Sequence, residues 1–251
     1  GMESKDLRYR TNWNAPVTAS PQDPSVIYYG TEKLLRTTDR GVTFEEISPD
    51  LTKNEKDKQG LNGGPITAEN VGAEFYGTIL TVTASPHERG TVWVGSDDGL
   101  IHVTRNDGES WDEVTPHDLR GAMVNAIEVS PHDPGTAYIA VTGYKMNDFR
   151  PYIYKLTDFG RQSKRIDRDL PNDNFIRVVR EDPERQGLLF AGGEVGIYVS
   201  FDDGDHWQSL GLNLPPVPIT DLAIRQSDLV AATQGRAFWV LDDLSALRQV
   251  R

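Results

Sequence analysis

Short apolar stretches alternate with polar turns along the whole chain of 251 residues. The stretches are rich in Val, Ile, Tyr and Phe and are bounded by Gly, Pro, Asp and Ser, a pattern typical of β-strands. No segment places apolar residues at the three- and four-residue spacing that one face of a helix requires. The charged run Lys53–Gln59 has no apolar face and predicts a solvated loop. The hydrophobic pattern therefore predicts an all-β protein.

The predicted strands form a repeat of four. In each repeat the first strand ends near Ser-Pro or Asp-Pro, the second ends in a small residue, the third leads into an Asp-Gly turn, and an aromatic residue opens the fourth. Four short strands in roughly 40–50 residues are typical of a β-propeller blade. The sequence predicts a single propeller domain, 1–251, with five four-stranded blades at residues 13–50, 76–116, 123–167, 174–213 and 218–251. Residues 51–75 form an insertion, and a loop of this length in a compact fold is functional or mobile.

Three of the turns share the pattern Ser/Thr-x-Asp-x-Gly-x-x-aromatic, with Asn at the Asp position in the second. We name Thr37–Phe44, Thr104–Trp111 and Ser200–Trp207 the Asp turns. The Asp or Asn oxygen accepts backbone N–H groups, the Gly permits a positive φ, and the aromatic side chain returns to the core. The predicted structural residues are Asp39, Gly41, Phe44, Asn106, Gly108, Trp111, Asp202, Gly204 and Trp207. This role predicts that the three aromatic side chains are buried.

These turns and the segments around them resemble a known family. Turns of this kind, called Asp-boxes, occur in sialidases, xyloglucan-degrading propeller glycosidases, photosystem assembly propellers and sortilins. The chain is most similar to the large bacterial sortilin-like, BNR-repeat proteins, which are often loosely named glycosyl hydrolases. The segments that carry the resemblance are Tyr9–Pro16, Gly63–Thr67, Tyr76–Ile79, Tyr152–Lys155, Arg177–Pro183, Gly196–Gly204 and Gln234–Asp243.

The resemblance implies that the chain corresponds to the later part of a larger protein. It is then either a fragment or a shortened propeller that closes with five blades, and it is expected to be secreted or periplasmic. The N-terminus has no signal peptide, but Gly1 before Met2 is typical of a tag remnant, which leaves the removal of a leader open. We expect Leu7–Arg10 to add a strand beside Leu247–Val250 of the last blade. Self-association is expected if the propeller is not closed, because unpaired strand edges pair with other chains.

Composition excludes several classes of function. The chain has no cysteine, and hence no disulfide, thiolate metal site or cysteine nucleophile. Its 26 basic and 38 acidic residues give a formal net charge of −12, which argues against nucleic acid as a partner. No apolar run is long enough for a transmembrane helix. The five histidines lack metal-ligand spacing, and no phosphate-binding loop or nucleophile elbow is present. We therefore expect neither a metal nor a cofactor.

Candidate ligand-binding residues lie in two kinds of loop: those joining strands 2 and 3 of a blade, and those joining consecutive blades. Because strands of a blade alternate in direction, both kinds lie on the face opposite the Asp turns, and such loops often carry function. Their mixture of aromatic, acidic and basic residues suits a peptide, protein or glycan ligand. The candidates are Trp13, Glu74, Tyr76, Asp98, Tyr144, Asp148, Arg150, Glu194 and Arg236.

Two functions are compatible with this face. The first is a non-catalytic binding or scaffold propeller. The second is a glycoside hydrolase of the sialidase or xyloglucanase type, which requires two carboxyl groups roughly 5–10 Å apart. The eligible carboxyls are Glu32, Glu69, Glu74, Asp98, Asp148 and Glu194. No spacing selects a pair of them, and no spacing of arginines specifies a substrate-carboxylate triad, so the sequence favours the binding propeller.

Overall fold

The computed structural model describes residues 7–60, 74–119 and 121–250. The segment Gly63–Thr67 and the eligible carboxyl of Glu69, both in the predicted insertion, lie outside the described residues. The chain divides into two compact units, Gly1–Val124 and Asn125–Arg251. The single domain over residues 1–251 stays a prediction.

The first unit contains two four-stranded antiparallel sheets, in which the strands follow one another in chain order. Their strands are β1 Val17–Ala19, β2 Ile27–Gly30, β3 Leu34–Thr37, β4 Glu45–Glu46, β5 Ile79–Ala84, β6 Val92–Ser96, β7 Ile101–Thr104 and β8 Asp112–Glu113. The charged run predicted to be a loop contains a short 3₁₀ helix, Lys56–Lys58.

The second unit contains three antiparallel sheets, two of four strands and one of three. Their strands are β9 Met123–Val129, β10 Ala137–Gly143, β11 Asp148–Thr157, β12 Gln162–Arg165, β13 Ile176–Glu181, β14 Leu189–Gly193, β15 Ile197–Ser200, β16 Gln208–Ser209, β17 Ile219–Arg225, β18 Asp228–Thr233 and β19 Phe238–Leu241. The first two residues of β9 belong to the first unit. Helices are short: a 3₁₀ helix, Tyr144–Met146, and the α-helix α1, Ser245–Arg248.

The second strand is buried throughout in three of the four-stranded sheets. Every residue of β6, β10 and β14 is buried, and the fully buried side chains include Trp93, Tyr138 and Phe190. These strands are near-continuous apolar runs, as expected when both faces of a strand are covered. The all-β class and the five predicted sheets are confirmed. Among the described residues, no helix has the length and apolar character to cross a membrane.

The predicted fourth strand of the fifth sheet, Leu247–Val250, is wrong. The short helix α1 includes the first two residues of this segment, and Leu244 immediately before the helix is fully buried. The helical turn brings the guanidinium Nη2 of Arg248 to 3.0 Å from a carboxylate oxygen of Asp182, whose side chain is fully buried. A buried carboxylate without a partner is strongly unfavourable, so this pairing favours the helix over a strand.

The prediction that Phe44 is buried is also wrong. Its side chain is 49 % exposed and its ring lies 6.2 Å from that of Tyr29. Trp207 is 5 % exposed and Trp111 is partly buried. The difference has a physical reason: each tryptophan packs on the sheet that precedes its own, and the first sheet has no preceding sheet among the described residues.

Two further expectations differ from the structure. Leu7–Arg10 forms no strand, and the side chains of Arg8 and Tyr9 bond to Glu46 of β4. The segment therefore does not extend the fifth sheet, whose three strands all lie within residues 219–241. In the third sheet, Asp148–Arg150 was expected in a loop but begins β11, because the preceding 3₁₀ helix ends at Asn147 in a left-handed conformation that reverses the chain.

Candidate functional site

In each unit, the loops between strands 2 and 3 of a sheet lie next to segments that precede a first strand. In the first unit, Asp97 after β6 accepts hydrogen bonds from the backbone N–H groups of Gly77 and Thr78 at 3.0 and 2.8 Å. In the second unit, the N–H of Glu194 after β14 donates to the carbonyl of Phe175 at 3.1 Å. The two kinds of loop therefore come together within each unit.

Two adjacent carboxyls lie at the centre of this region in the first unit. Asp98 is fully buried, and its two oxygens accept hydrogen bonds from the hydroxyl of Ser96 at 2.5 Å and from the backbone N–H of Lys53 at 2.7 Å. Burial, together with the neighbouring charge of Asp98, raises the pKa of Asp97 to about 6. Asp98, a candidate ligand-binding residue, thus holds the start of the insertion in place and does not face solvent.

The other candidates of the first unit bond to side chains of the same unit. The indole N–H of Trp13 donates to Glu74 at 2.9 Å, although 71 % of Trp13 is exposed. The hydroxyl of Tyr76 donates to Glu55 at 3.1 Å, and burial, followed by this bond, raises the pKa of Tyr76. The ammonium of Lys58 lies 5.4 Å from the centre of the Tyr76 ring.

Arg10 links the N-terminal segment to both sheets of the first unit. Its Nε donates to the carbonyl of Gly77 at 3.0 Å, and Nη2 donates to Asp50 at 2.7 Å and to Thr52 at 2.9 Å. Its backbone N–H donates to the carboxylate of Glu32 at 2.7 Å. Glu32 is buried. This eligible carboxyl therefore accepts a backbone hydrogen bond inside the protein and is not exposed to solvent.

In the second unit, an aromatic and charged cluster lies where the segments after β10 and β14 meet the start of β13. We name it the Arg177 surface and define it as Tyr144, Phe149, Phe175, Arg177 and Glu194. The rings of Tyr144 and Phe175 stack with centres 5.0 Å apart, and Phe149 lies 6.3 Å from Phe175. The guanidinium of Arg177 lies 4.8 Å from the Phe175 ring and 5.7 Å from the Tyr144 ring, and its Nη2 donates to Glu194 at 2.5 Å.

Large apolar side chains around the Arg177 surface are exposed. Phe149 is 46 % exposed, Met146 in the adjoining 3₁₀ helix is 73 % exposed, and Val195 beside Glu194 is 50 % exposed. Phe175, on which Tyr144 stacks, is 4 % exposed. A rigid aromatic base with an exposed apolar rim and a charged pair is typical of a binding surface.

Asp148 and Arg150 form a bidentate ion pair near this surface. Nε and Nη2 of Arg150 donate to Asp148 at 2.9 and 2.7 Å, and the Tyr152 hydroxyl donates to the same carboxylate at 2.7 Å. The bond from Arg150 holds the pKa of Asp148 well below its usual range.

Arg236 is exposed, and its backbone carbonyl accepts a hydrogen bond from the indole N–H of Trp239 at 3.0 Å. No contact joins Arg236 to the Arg177 surface among the described residues.

Sequence reasoning identified Tyr144 and Glu194 but did not select the residues between them. Phe149, Phe175 and Arg177 were not among the candidate ligand-binding residues. The available signal was a charged residue, Arg177, between the apolar residues at the start of β13 and two residues after the aromatic Phe175. Among the described residues, no group of three or more His, Asp or Glu side chains is arranged to hold a metal ion.

No protein-family model and no curated protein sequence matches the chain. Solved structures do. The chain is similar to the GH74 xyloglucanase from Xanthomonas campestris, with a TM-score of 0.67 and 17% identity over 98% of this chain and 38% of that one. It is also similar to the GH74 enzyme from Niastella koreensis, with a TM-score of 0.61 and 15% identity over 91% of this chain and 36% of that one.

A chain of a nidogen/laminin complex is a third similar structure, with a TM-score of 0.58 and 12% identity over 94% of this chain and 78% of that one. The chain spans less than half the length of the two GH74 enzymes. At these identities the similarity shows the fold, which is that of a β-propeller, and it leaves function to the residues of this chain.

Proposed function

We propose that this chain is a non-catalytic binding propeller whose Arg177 surface engages an extended segment of a partner protein. One observation carries the proposal: exposed Phe149 lies beside the stacked Tyr144 and Phe175 rings and the Arg177–Glu194 pair. Met146 and Val195, also exposed, lie close to them in the chain. Apolar anchors beside a charge pair suit a peptide with an apolar side chain next to a polar or charged one. Of the ligands predicted from the sequence, a peptide or protein fits this rim better than a glycan, because the Tyr144 and Phe175 ring faces are covered by each other and by Arg177.

The surroundings of the eligible carboxyls support binding over glycoside hydrolysis. Hydrolysis needs one carboxyl with a raised pKa as the acid and a second facing it. The pKa of Asp148 is lowered by Arg150, Glu194 is paired with Arg177, and Asp98 accepts fixed donors in the interior. Each of these three carboxyls is therefore paired with a donor of the protein itself.

The proposal includes the finer family assignment, a sortilin-like BNR-repeat protein. It rests on the Asp turns and on the segments that resemble that family.

A peptide and glycan array with the purified full chain tests the function. We expect saturable binding to a subset of peptides and no glycan hydrolysis. Phe149→Ala removes an exposed anchor without opening the core, and it should weaken peptide binding about tenfold, the size of a single anchor residue. Leu212→Ala, which truncates an exposed side chain outside the Arg177 surface, is the matched control and should leave affinity unchanged. Release of sugar from a glycan, or peptide affinity insensitive to Phe149→Ala, would refute the proposal.

A further inference from the structure

The strand that carries Phe149 is irregular where it reaches the Arg177 surface. Asp148 and Tyr152 of β11 pair with residues of β10 that are only two positions apart, so the segment between them, Phe149–Pro151, forms a bulge. On the other side of β11, the residues paired with β12 begin only at Tyr154. A bulge interrupts the regular ladder of hydrogen bonds. The backbone pairing therefore does not by itself fix the conformation of Phe149–Pro151.

A series of charged and aromatic side chains spans this bulge. We name it the Tyr152 ladder and define it as Asp148, Arg150, Tyr152, Arg165 and Asp167. The carboxylate of Asp148 accepts hydrogen bonds from the guanidinium of Arg150 at 2.9 and 2.7 Å and from its backbone N–H at 3.1 Å. The hydroxyl of Tyr152 donates to the same carboxylate at 2.7 Å. Asp148 therefore joins the residue before the bulge to the residues that follow Phe149.

Two guanidinium groups hold the ring of Tyr152. Arg150 lies 5.5 Å and Arg165 lies 4.7 Å from the centre of this ring, distances at which a cation and an aromatic ring attract each other. Nε and Nη2 of Arg165 donate to Asp167 at 2.9 and 2.6 Å. Nη2 also donates to the backbone carbonyl of Pro151 at 3.4 Å. The ladder thereby ties the bulge of β11 to the end of β12.

Packing alone leaves Phe149 incompletely held. Its ring centre lies 6.3 Å from that of Phe175, and 46 % of the residue is exposed. Ordering such a side chain when a partner binds costs free energy unless the protein has already ordered it. We propose that the Tyr152 ladder positions Phe149 beside Phe175 for partner binding, with Asp148 as the positioning residue that holds the ladder together. The inference rests on the proposed function, in which Phe149 is an anchor.

This role differs from the direct ligand contact that the sequence predicts for Asp148 and Arg150. Both oxygens of Asp148 already accept hydrogen bonds from Arg150, and one of them also accepts the bond from Tyr152. A partner that bonded to Asp148 would have to displace these donors and would lose their hydrogen bonds. Holding Phe149 in place requires no such loss. Asp148 therefore acts through Phe149 and does not touch the partner.

Fluorine NMR of the full chain with para-fluorophenylalanine at position 149 tests the positioning without a ligand. We expect a narrow resonance displaced from the chemical shift of the free amino acid, because the ring current of Phe175 acts on a ring held beside it. Asp148→Ala should move the resonance toward the free value. Asp148→Asn keeps an acceptor oxygen for the backbone N–H of Arg150 and should move it less. A resonance that Asp148→Ala leaves in place would overturn the proposal.

Peptide affinity tests the consequence for binding. The probe is a fluorescein-labelled copy of the array peptide that binds the wild type most tightly, measured by fluorescence anisotropy. Asp148→Ala should weaken its binding about fivefold, the cost of ordering one side chain on binding. In the Phe149→Ala background the same substitution should change affinity less than about twofold, because the positioned side chain is gone. Asp158→Ala, which removes an exposed pair with Arg161 just after the far end of β11, is the matched control and should leave affinity unchanged.

An equal loss of affinity from Asp148→Ala in both backgrounds would show that Asp148 contacts the peptide itself and would overturn the positioning role, as would no loss in the wild-type background. Failure of the proposed function has a different signature: no peptide binds, or binding is insensitive to Phe149→Ala. The fluorine resonance then still decides whether Asp148 positions Phe149. Circular dichroism verifies that each variant is folded, and Asp148→Asn provides a second readout if Asp148→Ala disturbs β11.

Discussion

Single carboxyl and amide side chains hold the three Asp turns. Asp202 accepts a hydrogen bond from the backbone N–H of His206 at 2.9 Å and one from the hydroxyl of Ser200 at 3.0 Å. Asn106 accepts the equivalent backbone bond from Ser110 at 3.0 Å. In the first turn, hydrogen bonds from the hydroxyl and N–H of Thr43 lower the pKa of Asp39 to about 2. The requirement at this position is therefore an acceptor oxygen, which both Asp and Asn provide.

Asp202→Ala should lower the free energy of unfolding by about 1–2 kcal/mol, because the turn loses its acceptor. The lower part of the usual range applies, since the Asp202 side chain is 45% exposed. Asp202→Asn should cost less than about 0.5 kcal/mol, because Asn106 fills the same position in the second turn. Urea denaturation of the three proteins measures the difference. An alanine variant as stable as the wild type would contradict the structural role.

Asp97 gives the first unit a dependence on pH. Burial raises its folded pKa to about 6, above the usual value of 3.8. The folded state then binds this proton more tightly than the unfolded state. The resulting stabilisation is fully present below about pH 4 and is lost as pH rises through about 6.

We expect the free energy of unfolding to fall between pH 4.5 and pH 7 by about 1–2 kcal/mol more in the wild type than in Asp97→Asn. Asn is a matched control because it keeps an oxygen for the N–H groups of Gly77 and Thr78 but does not titrate. Urea denaturation at the two pH values measures this. Parallel pH profiles of the two proteins would show that Asp97 titrates near its ordinary pKa.

At the scale of elements, neighbouring sheets are joined by the Asp turns. The glycines of these turns permit close approach: a Cβ on Gly108 would lie 2.4 Å from the carbonyl oxygen of Ile47, and one on Gly204 would lie 2.6 Å from Cδ1 of Ile166. Both glycines also have positive φ, +94° and +86°. The indole N–H of the tryptophan three residues later donates to the carbonyl of the same isoleucine, Ile47 in the second turn and Ile166 in the third. The turn is therefore a contact between sheets as well as a connection within one.

This contact predicts different effects at equivalent aromatic positions. Trp207→Ala should destabilise the second unit by about 3–5 kcal/mol, because it opens a cavity and removes the hydrogen bond to Ile166. Phe44→Ala should cost about 1 kcal/mol or less, because that side chain is half exposed. Thermal denaturation followed by circular dichroism measures both variants. Similar destabilisation by the two substitutions would mean that Phe44 is buried in solution.

At the scale of the whole molecule, the part of the chain that the structure describes forms five antiparallel sheets in two compact units. Four sheets share one plan, and the fifth departs from it by ending at β19. The plan explains why structures of unrelated function are similar at 12 to 17% identity. Repeated strands and turns specify such a sheet, while the loops that carry function vary freely.

The sequence by itself determined the repeating sheets and the turns. Strand alternation, turn glycines and acceptor side chains act within a few tens of residues, so the sequence pattern predicts the strands and turns. The exposure of Phe44 could not be predicted from this local pattern, because it depends on whether a preceding sheet covers the ring.

The tertiary structure alone decided the candidate site. Tyr144 of the 3₁₀ helix meets Phe175 and Arg177 at the start of β13, and no sequence spacing encodes that contact. It decided the conformation after β19 as well: Arg248 of α1 pairs with the buried carboxylate of Asp182, and among the described residues no strand pairs with the outer edge of β19. Local patterns specify strands and turns, whereas partners distant in sequence determine which side chains are covered, paired or presented to a ligand.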